Sequence, residues 1–414
     1  MNRFNRRTFL KCAAVSVATL LTGCRTTEIL PDPLNLKFLR QIVTKDLSRS
    51  RCVMWQVDEP LKNPVVEVRL VNTDEIKNFP VTDSSFTDDG KKNFQYTAQI
   101  DDLKPEKAYE YRITDGGASN PWHNLKTADD GKFTMMIFTD SQCGNTYETW
   151  GEVANAAFGR TWDVNMFVNV GDLVDNGEDR EQWEDWLTQI KDYLPILPFA
   201  PVMGNHETYS REWTVRPPVA YLNYFATPDN GVENFSRRFY SFDFGTVHFA
   251  VLDTQWDELG EEVIDAQKNW LRQDMASTDK PWKIIFMHKD VLQYRIKGRP
   301  ERKEGFSDIG EIFMPEFDAL GIDIVFTGHL HTYRNRGRIK NFRHDDSGPL
   351  YILTGLSGNV RYAGLWLDHV FDKFVAPQPE IDNYLTLEME GKTLTITTFL
   401  ANGKSFDEII LQKP

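Results

Sequence analysis

Six residues with oxygen or nitrogen donor atoms recur in one setting, at or shortly after the end of an apolar run. These residues are Asp140, Asp172, Asn205, His288, His329 and His331. Carboxylate, amide and imidazole groups together are suited to Fe, Mn or Zn, and this mixture does not choose among them. The sequence therefore indicates a metal centre assembled from distant segments of the chain.

Each of these residues taken alone has an ordinary structural explanation. An Asp after a strand is usually a turn or helix-cap residue, and Gly171-Asp172 and Gly204-Asn205-His206 are compatible with turns. Two imidazoles at His329 and His331 are less common by chance, although a buried histidine pair would explain them about as well. Because five separate strand ends would all have to carry donors by accident, we favour the metal centre.

The segments that must position these donors begin near Lys132, where apolar strands start to alternate with segments of helical periodicity. Strands are predicted at Phe133–Thr139, Val164–Val170, Pro198–Met203, Val247–Leu252, Ile284–Met287, Ile322–Thr327 and Leu350–Thr354. Helices are predicted at Glu178–Tyr193 and Glu261–Met275, and a closing hairpin at Tyr384–Met389 and Leu394–Leu400. This pattern is typical of a partly parallel sheet covered on both faces, in which ligands collect at the carboxyl ends of the strands.

Residues 37–128 have a different pattern, with short β-strands and turn-forming residues. The strands are predicted around Cys52–Trp55, Val65–Val71, Phe94–Ala98 and Ala108–Ile113. Such spacing without helical periodicity indicates a β-sandwich. Its acidic residues are scattered and His123 stands alone, so we interpret His123 as a surface or turn residue rather than a ligand.

The ordered motifs resemble those of the calcineurin-like metallophosphoesterases. They are Asp140, Gly171-Asp172, Gly204-Asn205-His206-Glu207, His288 and Gly328-His329-Leu330-His331. With the strand-like stretches at Tyr96–Pro105 and Tyr109–Arg112 and with Tyr333, the arrangement is most similar to purple acid phosphatases. This resemblance implies an all-β, fibronectin type III-like sandwich at 37–128. It also implies an α/β four-layer domain at 131–414, with two sheets flanked by helices.

The resemblance also implies a role for each motif residue in the hydrolysis of small-molecule phosphate esters. Two divalent or mixed-valence ions of Fe, Mn or Zn would be bridged by Asp172. Asp140 and His331 would complete the first ion's protein ligands, and Asn205, His288 and His329 would hold the second. A hydroxide bridging the ions would attack phosphorus, while His206 would act as general acid and Glu207 would orient it.

Two positions depart from the purple acid phosphatase pattern. Asp175 occupies the place of the tyrosine three residues after the bridging Asp, so the ferric charge-transfer colour should be absent. Gln142 stands where many relatives have Gly or His. Three roles stay open for Gln142: a metal ligand, a hydrogen-bond partner of metal-bound water, or neither. The site of the first ion is therefore expected to bind metal with lower affinity or to select a different metal.

Several functional alternatives stay open. The substrates could be phosphodiesters rather than phosphomonoesters. A catalytically decayed surface-binding lipoprotein is the alternative from another class, and the near-complete donor set argues against it. The region 357–379, with Arg361, Tyr362, Trp366 and His369, is compatible with a loop that recognises the leaving group and equally with packing.

Residues 1–23 resemble a twin-arginine signal peptide of the lipoprotein type. Arg6-Arg7 precedes a short apolar run, and Leu21-Thr22-Gly23 leads directly to Cys24. This resemblance predicts export, lipidation of Cys24 and a membrane anchor, followed by a tether at 24–36. The expected location is the cell envelope. Because Arg25 follows the cysteine, the outer membrane is favoured over the inner membrane.

The net charge limits the range of partners. The 414 residues have a formal charge of −14, and residues 1–23 contain four basic and no acidic residues, so the remainder is more acidic still. General nucleic-acid binding is not expected of such a chain, since it depends on a basic surface. Small phosphate esters are not excluded, because bound metal cations can dominate the field within a site. Cys52 and Cys143 could pair or stay free, and the sequence does not predict an oligomeric state.

Overall fold

The computed structural model describes residues 32–128, 131–161, 163–255, 260 and 262–413. Residues from Pro33 onward form one compact unit. The predicted leader and the predicted lipidation residue Cys24 lie outside the described residues. Among the residues described, no helix is both long enough and apolar enough to cross a bilayer.

Five α-helices are described. They are α1 (Glu148–Arg160), α2 (Arg180–Gln189), α3 (Val219–Tyr224), α4 (Glu262–Ser277) and α5 (Asp308–Leu320). Asp179 caps α2 by accepting hydrogen bonds from the backbone amides of Glu181 and Gln182. Ser307 caps α5 in the same way through Gly310, and Gly321 ends α5 in the left-handed conformation.

The strands of the N-terminal region are numbered in chain order. They are β1 (Lys37–Ile42), β2 (Arg51–Val57), β3 (Val65–Leu70), β4 (Ile76–Pro80), β5 (Thr82–Asp88), β6 (Lys91–Ile100), β7 (Ala108–Asp115), β8 (Ala118–Ser119) and β9 (His123–Lys126).

The remaining strands belong to the larger C-terminal region. They are β10 (Lys132–Phe138), β11 (Val164–Asn169), β12 (Pro198–Pro201), β13 (Tyr240–Phe244), β14 (Val247–Leu252), β15 (Trp282–Met287), β16 (Leu292–Gln293), β17 (Gly305–Phe306), β18 (Ile324–Thr327), β19 (Tyr333–Lys340), β20 (Arg343–His344), β21 (Leu350–Thr354), β22 (Phe374–Val375), β23 (Asn383–Glu390), β24 (Thr393–Leu400) and β25 (Ser405–Gln412).

Two large sheets form the centre of the C-terminal region. The first has the order β25-β24-β23-β10-β11-β12-β1-β2-β6-β5, and β10, β11 and β12 pair in parallel. The second has the order β13-β14-β15-β18-β21-β19-β20, with β22 paired to β19. Its strands β14, β15, β18 and β21 are also parallel. The parallel pairing predicted from the continuous apolar runs is therefore observed in both sheets.

The hydrophobic core lies in three layers between four layers of structure. Side chains such as Met135 and Val168 of the first sheet pack against Phe249 and Phe286 of the second. On its other face the first sheet packs against α1 and α2. The second sheet packs against α4 and α5. This arrangement confirms the predicted four-layer α/β class.

The N-terminal β region shares a sheet with the C-terminal region. Strands β1, β2, β6 and β5 pack against the five-stranded sheet of β3, β4, β7, β8 and β9, which forms the predicted sandwich. Because β1 pairs in parallel with β12, the first large sheet continues from one predicted domain into the other. Leu34, within the predicted tether, is buried in the sandwich core.

Candidate metal centre

The donor residues lie where neighbouring parallel strands end. Asp140 and Asp172 follow β10 and β11, and Asn205 follows β12. His288 directly follows β15, while His329 and His331 follow β18. The two large sheets thus present their donor-bearing ends on the same side, and all six predicted donors come together there.

The carboxylates and imidazoles form two clusters of potential metal ligands. One comprises Asp140, Asp172 and His331, and the other Asp172, His288 and His329; within each, the donor atoms lie within 4.8 Å of one another. Asn205 adjoins the second cluster, because its Oδ1 lies 3.2 Å from His288 Nε2. Asp172 belongs to both clusters, so a carboxylate of this residue lies between two potential ion positions.

Two glycines allow the backbone to approach Asp172 and His288 closely. Gly171 has φ +95°, and a Cβ there would lie 2.4 Å from His288 Nδ1. A Cβ on Gly204 would lie 2.1 Å from Asp172 Oδ1. Any side chain at either position would displace a donor residue. The glycines of the two motifs are therefore explained by close packing as well as by turn geometry.

Four of the six donor residues have a left-handed backbone conformation. The φ angles are +46° at Asp140, +51° at Asp172, +77° at His329 and +51° at His331. This region is uncommon for residues other than glycine, and such a conformation costs roughly 1–3 kcal/mol. The fold accepts this cost at the positions where the donors converge, which is typical of functional sites.

Backbone carbonyls orient two of the imidazoles. His288 Nδ1 lies 2.9 Å from Val170 O, and His331 Nδ1 lies 2.6 Å from Val360 O. With Nδ1 donating to a carbonyl, each Nε2 is left facing the carboxylates: His288 Nε2 is 3.0 Å from Asp172, and His331 Nε2 is 3.4 Å from Asp140. Metal-binding histidines in proteins commonly have this hydrogen-bond arrangement.

Buried charges at the centre strongly influence one another. Burial raises the pKa of the Asp140 carboxyl. Burial would also raise the pKa of Asp172, but His288 and His206 outweigh it and lower that pKa below its ordinary value. For His206 burial lowers the pKa, but Asp172 and the Asp175 carbonyl outweigh it and raise it. Asp172 is therefore held ionised at the centre, and a bound cation would offset the burial that raises the pKa of Asp140.

Gln142 lies against the first cluster. Its Nε2 is 3.3 Å from His331 Nε2 and 3.5 Å from Asp172 Oδ2. Its Oε1 is buried and has no hydrogen-bond partner among the residues that the structure describes. Because the two ends of an amide have nearly the same shape, an oxygen could replace the nitrogen against these ligands. The donor set, with this unpartnered buried oxygen, fits a metal pair.

His206 lies beside both clusters, with 14% of its side chain exposed. Its Nδ1 is 2.6 Å from Asp175 O, and its Nε2 is 3.9 Å from Asp172 Oδ2. The expectation that Glu207 orients His206 is wrong. The buried Glu207 carboxylate accepts hydrogen bonds from the backbone amides of Gly204, Asp172, Leu173 and Val174. Glu207 therefore fixes the loops that carry Asp172, while Asp175 holds His206.

The region 357–379 lies partly at the centre. The ring of Tyr362 lies 4.7 Å from that of His331, and 38% of Tyr362 is exposed. The other three residues have packing contacts: Arg361 pairs with Asp382, Trp366 Nε1 donates to Leu330 O, and His369 Nε2 lies near Gly305 O. Of the four, Tyr362 is therefore the residue whose ring lies against a predicted metal ligand.

The structure also places two cysteines and two tyrosines for which the sequence did not predict a firm role. Cys52 and Cys143 are both buried and free, so they do not pair. Tyr333, one of the residues that carry the resemblance to purple acid phosphatases, is buried between the sheets and donates a hydrogen bond to Asp407 at 2.7 Å. Sequence reasoning did not identify the loop from Tyr209 to Val215, whose aromatic side chains lie beside His206.

Two protein-family models match consecutive parts of the chain. The calcineurin-like phosphoesterase model matches residues 122–333, and the model of the purple acid phosphatase N-terminal domain matches residues 38–127. The chain belongs to the calcineurin-like phosphoesterase family, and it carries the N-terminal domain that is characteristic of purple acid phosphatases.

Individual relatives agree with this class. Purple acid phosphatase 18 of Arabidopsis thaliana is 27% identical over 63% of this chain and 57% of its own length. Purple acid phosphatase 23 of that plant is 29% identical over 68% of this chain and 67% of its own. Phosphoenolpyruvate phosphatase of Allium cepa is 26% identical over 71% and 63% of the two chains. The chain thus spans just over half the length of purple acid phosphatase 18.

Solved structures share the fold. A purple acid phosphatase from yellow lupin (Lupinus luteus) seeds superposes with a TM-score of 0.76 at 17% identity, over 92% of this chain and 75% of that one. PhoD superposes with a TM-score of 0.63 at 13% identity, over 90% and 88% of the two chains. At such identities these likenesses establish the architecture alone.

Proposed function

We propose that the protein hydrolyses phosphate esters at a dinuclear metal centre. The observation that carries this proposal is the pair of donor clusters that share Asp172. Membership of the calcineurin-like phosphoesterase family and similarity to purple acid phosphatases support it. A shared carboxylate between two ion positions is the arrangement that two-metal phosphoryl chemistry uses.

The ligands divide between the two ions according to the clusters. Asp140, His331 and Asp172 would hold the first ion, with Gln142 beside it. Asn205, His288, His329 and Asp172 would hold the second. When bound, the two ions would supply the charge that activates water near neutral pH and stabilises the phosphoryl oxygens. The residues that would hold the ions lie beside His206, the proposed proton donor.

His206 is the residue that would protonate the leaving group. Its Nδ1 is held by the Asp175 carbonyl, so a transferable proton of the imidazolium lies on Nε2. Nε2 points toward Asp172, the residue shared by both clusters. Transfer of that proton to the ester oxygen would leave a neutral imidazole still bonded to Asp175.

The direct test uses purified protein loaded with Mn, Fe or Zn and assayed with nitrophenyl phosphate and bis(nitrophenyl) phosphate. Metal-dependent hydrolysis of either substrate is expected, and the ratio of the two rates distinguishes monoesterase from diesterase activity. The absence of hydrolysis with all three metals, despite bound metal, would favour the surface-binding alternative.

We also propose, from residues 1–24 alone, that the protein is exported and anchored through a lipid on Cys24. Acyl chains contribute about 0.8 kcal/mol per buried methylene, and two or more chains make anchoring stable. Arg6 and Arg7 changed to Lys should strand the precursor in the cytoplasm. Cys24→Ala should abolish lipidation, which mass spectrometry and cell fractionation measure. A wild-type protein found wholly in the soluble fraction with Cys24 unmodified would contradict the anchor.

A further inference from the structure

The loop that follows the Asn205-His206 motif places aromatic side chains beside the proposed proton donor. The ring of Tyr209 lies 5.4 Å from that of His206, and the ring of Trp213 lies 6.0 Å from it. Trp213 lies 5.9 Å from Tyr209 and is 57% exposed. An indole with this exposure is not held in place by a core, although it lies next to the centre.

The backbone of this loop is fixed by its own hydrogen bonds. The Ser210 amide donates to Thr214 O at 2.8 Å, and the Trp213 amide donates to Ser210 O at 2.8 Å. The Ser210 and Thr214 hydroxyls lie 2.8 Å apart, and Tyr209 pairs with Val215 as an antiparallel bridge. Trp213 has φ +60°, which is unfavourable for a bulky side chain. The loop is thus constrained to hold an aromatic ring at the surface despite this strain.

The N-terminal β region supports the same loop. Arg216 pairs with Asp88 at 2.7 Å, and Arg211 pairs with Asp89. Asp88 is the last residue of β5, and Asp89 lies in the turn that follows it. Two ion pairs thus connect the sandwich to the two ends of the segment that carries Trp213.

We infer that Trp213 and Tyr209 form a subsite that stacks on a planar aromatic group in the leaving portion of the substrate. This inference rests on the proposed hydrolase function, because His206 marks the side of the centre where the leaving group would lie. Tyr362 is also exposed, but its ring lies beside His331 of the first cluster rather than beside His206. Aromatic rings bind flat aromatic groups through their faces, and one such contact with a nucleobase typically changes binding by about tenfold or more.

The test compares substrates that differ only in the aromatic group. Adenosine 5′-monophosphate and ribose 5-phosphate have the same type of leaving oxygen, and only the former carries a base. Benzyl phosphate and cyclohexylmethyl phosphate form a second pair, of similar size and leaving-group basicity. Preference for the aromatic member of the first pair alone indicates a nucleobase, and preference within both pairs indicates a general aryl subsite. Either result supports the inference.

The expected effect of Trp213→Ala is a loss of about tenfold in kcat/KM for the preferred aromatic substrate. Hydrolysis of its non-aromatic partner should change less than about twofold, and Trp213→Phe should retain most of the preference. Phe342→Ala is the matched control. Phe342 is also aromatic, is 39% exposed and has φ +60°, but it lies in the turn after β19 and contacts Phe306. Its replacement should leave the preference unchanged.

Equal kcat/KM values within both pairs for the wild type would overturn the subsite and leave the hydrolase function intact. Equal losses on both members of a pair in Trp213→Ala would also overturn it, since they would indicate a structural role for Trp213. If the metal-loaded wild type hydrolyses none of the four esters or the nitrophenyl substrates, the proposed function and the subsite fail together.

Discussion

Two buried histidines, His248 and His288, lie at opposite ends of neighbouring parallel strands. Strand β14 pairs in parallel with β15 along its whole length. His248 is near the beginning of β14, and His288 directly follows the end of β15. Both contact carboxylates, and in both cases those carboxylates outweigh burial and raise the imidazole pKa to about 9. A raised pKa therefore does not by itself distinguish the candidate site from a structural ion pair.

The difference lies in what surrounds each ring. Both ring nitrogens of His248 are hydrogen-bonded, Nδ1 to Asp243 at 2.7 Å and Nε2 to Asp274 at 2.8 Å. The imidazole thereby connects β13, which carries Asp243, to α4, which carries Asp274. Nε2 of His288 instead faces Asp172, Asn205 and His329, which come from different strand ends. Convergence of donors from several strands, rather than burial or pKa, identifies the metal centre.

The largest expected contrast is between His288→Ala and His248→Ala. The first variant should lose an ion and reduce kcat by about 10⁴-fold, because a metal supplies several kcal/mol of transition-state stabilisation. The second should keep its metal content and stay within about threefold of wild-type kcat. Elemental analysis and phosphate-release assays measure both. Loss of metal in His248→Ala alone would reverse the interpretation of the two residues.

The next effect concerns His206, which is proposed to donate a proton without binding metal. His206→Ala should spare the metal content and reduce the hydrolysis of alkyl phosphates on the order of 10²–10⁴-fold. The loss should shrink with nitrophenyl phosphate, since nitrophenolate needs little protonation. Equal losses on both substrates would indicate that His206 is structural.

The third effect is the pH dependence of stability that His248 contributes. Because its folded pKa is raised from 6.5 to about 9, its contribution is fully present below pH 6.5 and is lost as pH rises through about 9. Its size is about 2–4 kcal/mol. Denaturant unfolding of wild type and His248→Gln should differ most near pH 6 and converge by about pH 10. A difference that grows with pH would contradict the ion-pair interpretation.

The donor set could be predicted from sequence because its signals are local. An apolar run that ends in Asp140, Asp172 or His288 specifies both a buried strand and a donor at its carboxyl end, without knowledge of strand order. The hairpin of β23 and β24 was predicted for the same reason, since its turn at Gly391 lies between two apolar runs.

Features set by distant pairing were missed. Strand β1 bridges the two regions only because it pairs with residues 198–199, far along the chain. Strand β25 is half exposed at a sheet edge, and its pattern of mixed polarity gave no clear signal. The loop that carries Trp213 is joined by ion pairs to Asp88 and Asp89, more than 100 residues earlier in the chain, and no local sequence pattern reveals these pairs. The partner of His206 likewise proved to be the Asp175 carbonyl rather than Glu207.

The smallest expected signal concerns colour at the metal centre. Asp175 is predicted to replace the tyrosine of purple acid phosphatases, the Tyr333 hydroxyl donates to Asp407, and the Tyr209 hydroxyl accepts from Asn205 at 3.3 Å. The iron-loaded protein should therefore show no strong visible absorption band. A purple preparation that loses its colour in Tyr209→Phe would show that Tyr209 reaches the metal instead.

The central claim is that Asp172 is shared by two metal ions, and the metal content of Asp172→Asn tests it most directly. The variant replaces a carboxylate in contact with both clusters by a neutral amide of nearly the same shape. Elemental analysis of the wild type should give two ions per chain, and the variant should retain fewer than one and lose hydrolysis. An Asp172→Asn protein that keeps two ions and hydrolyses phosphate esters at the wild-type rate would contradict the account.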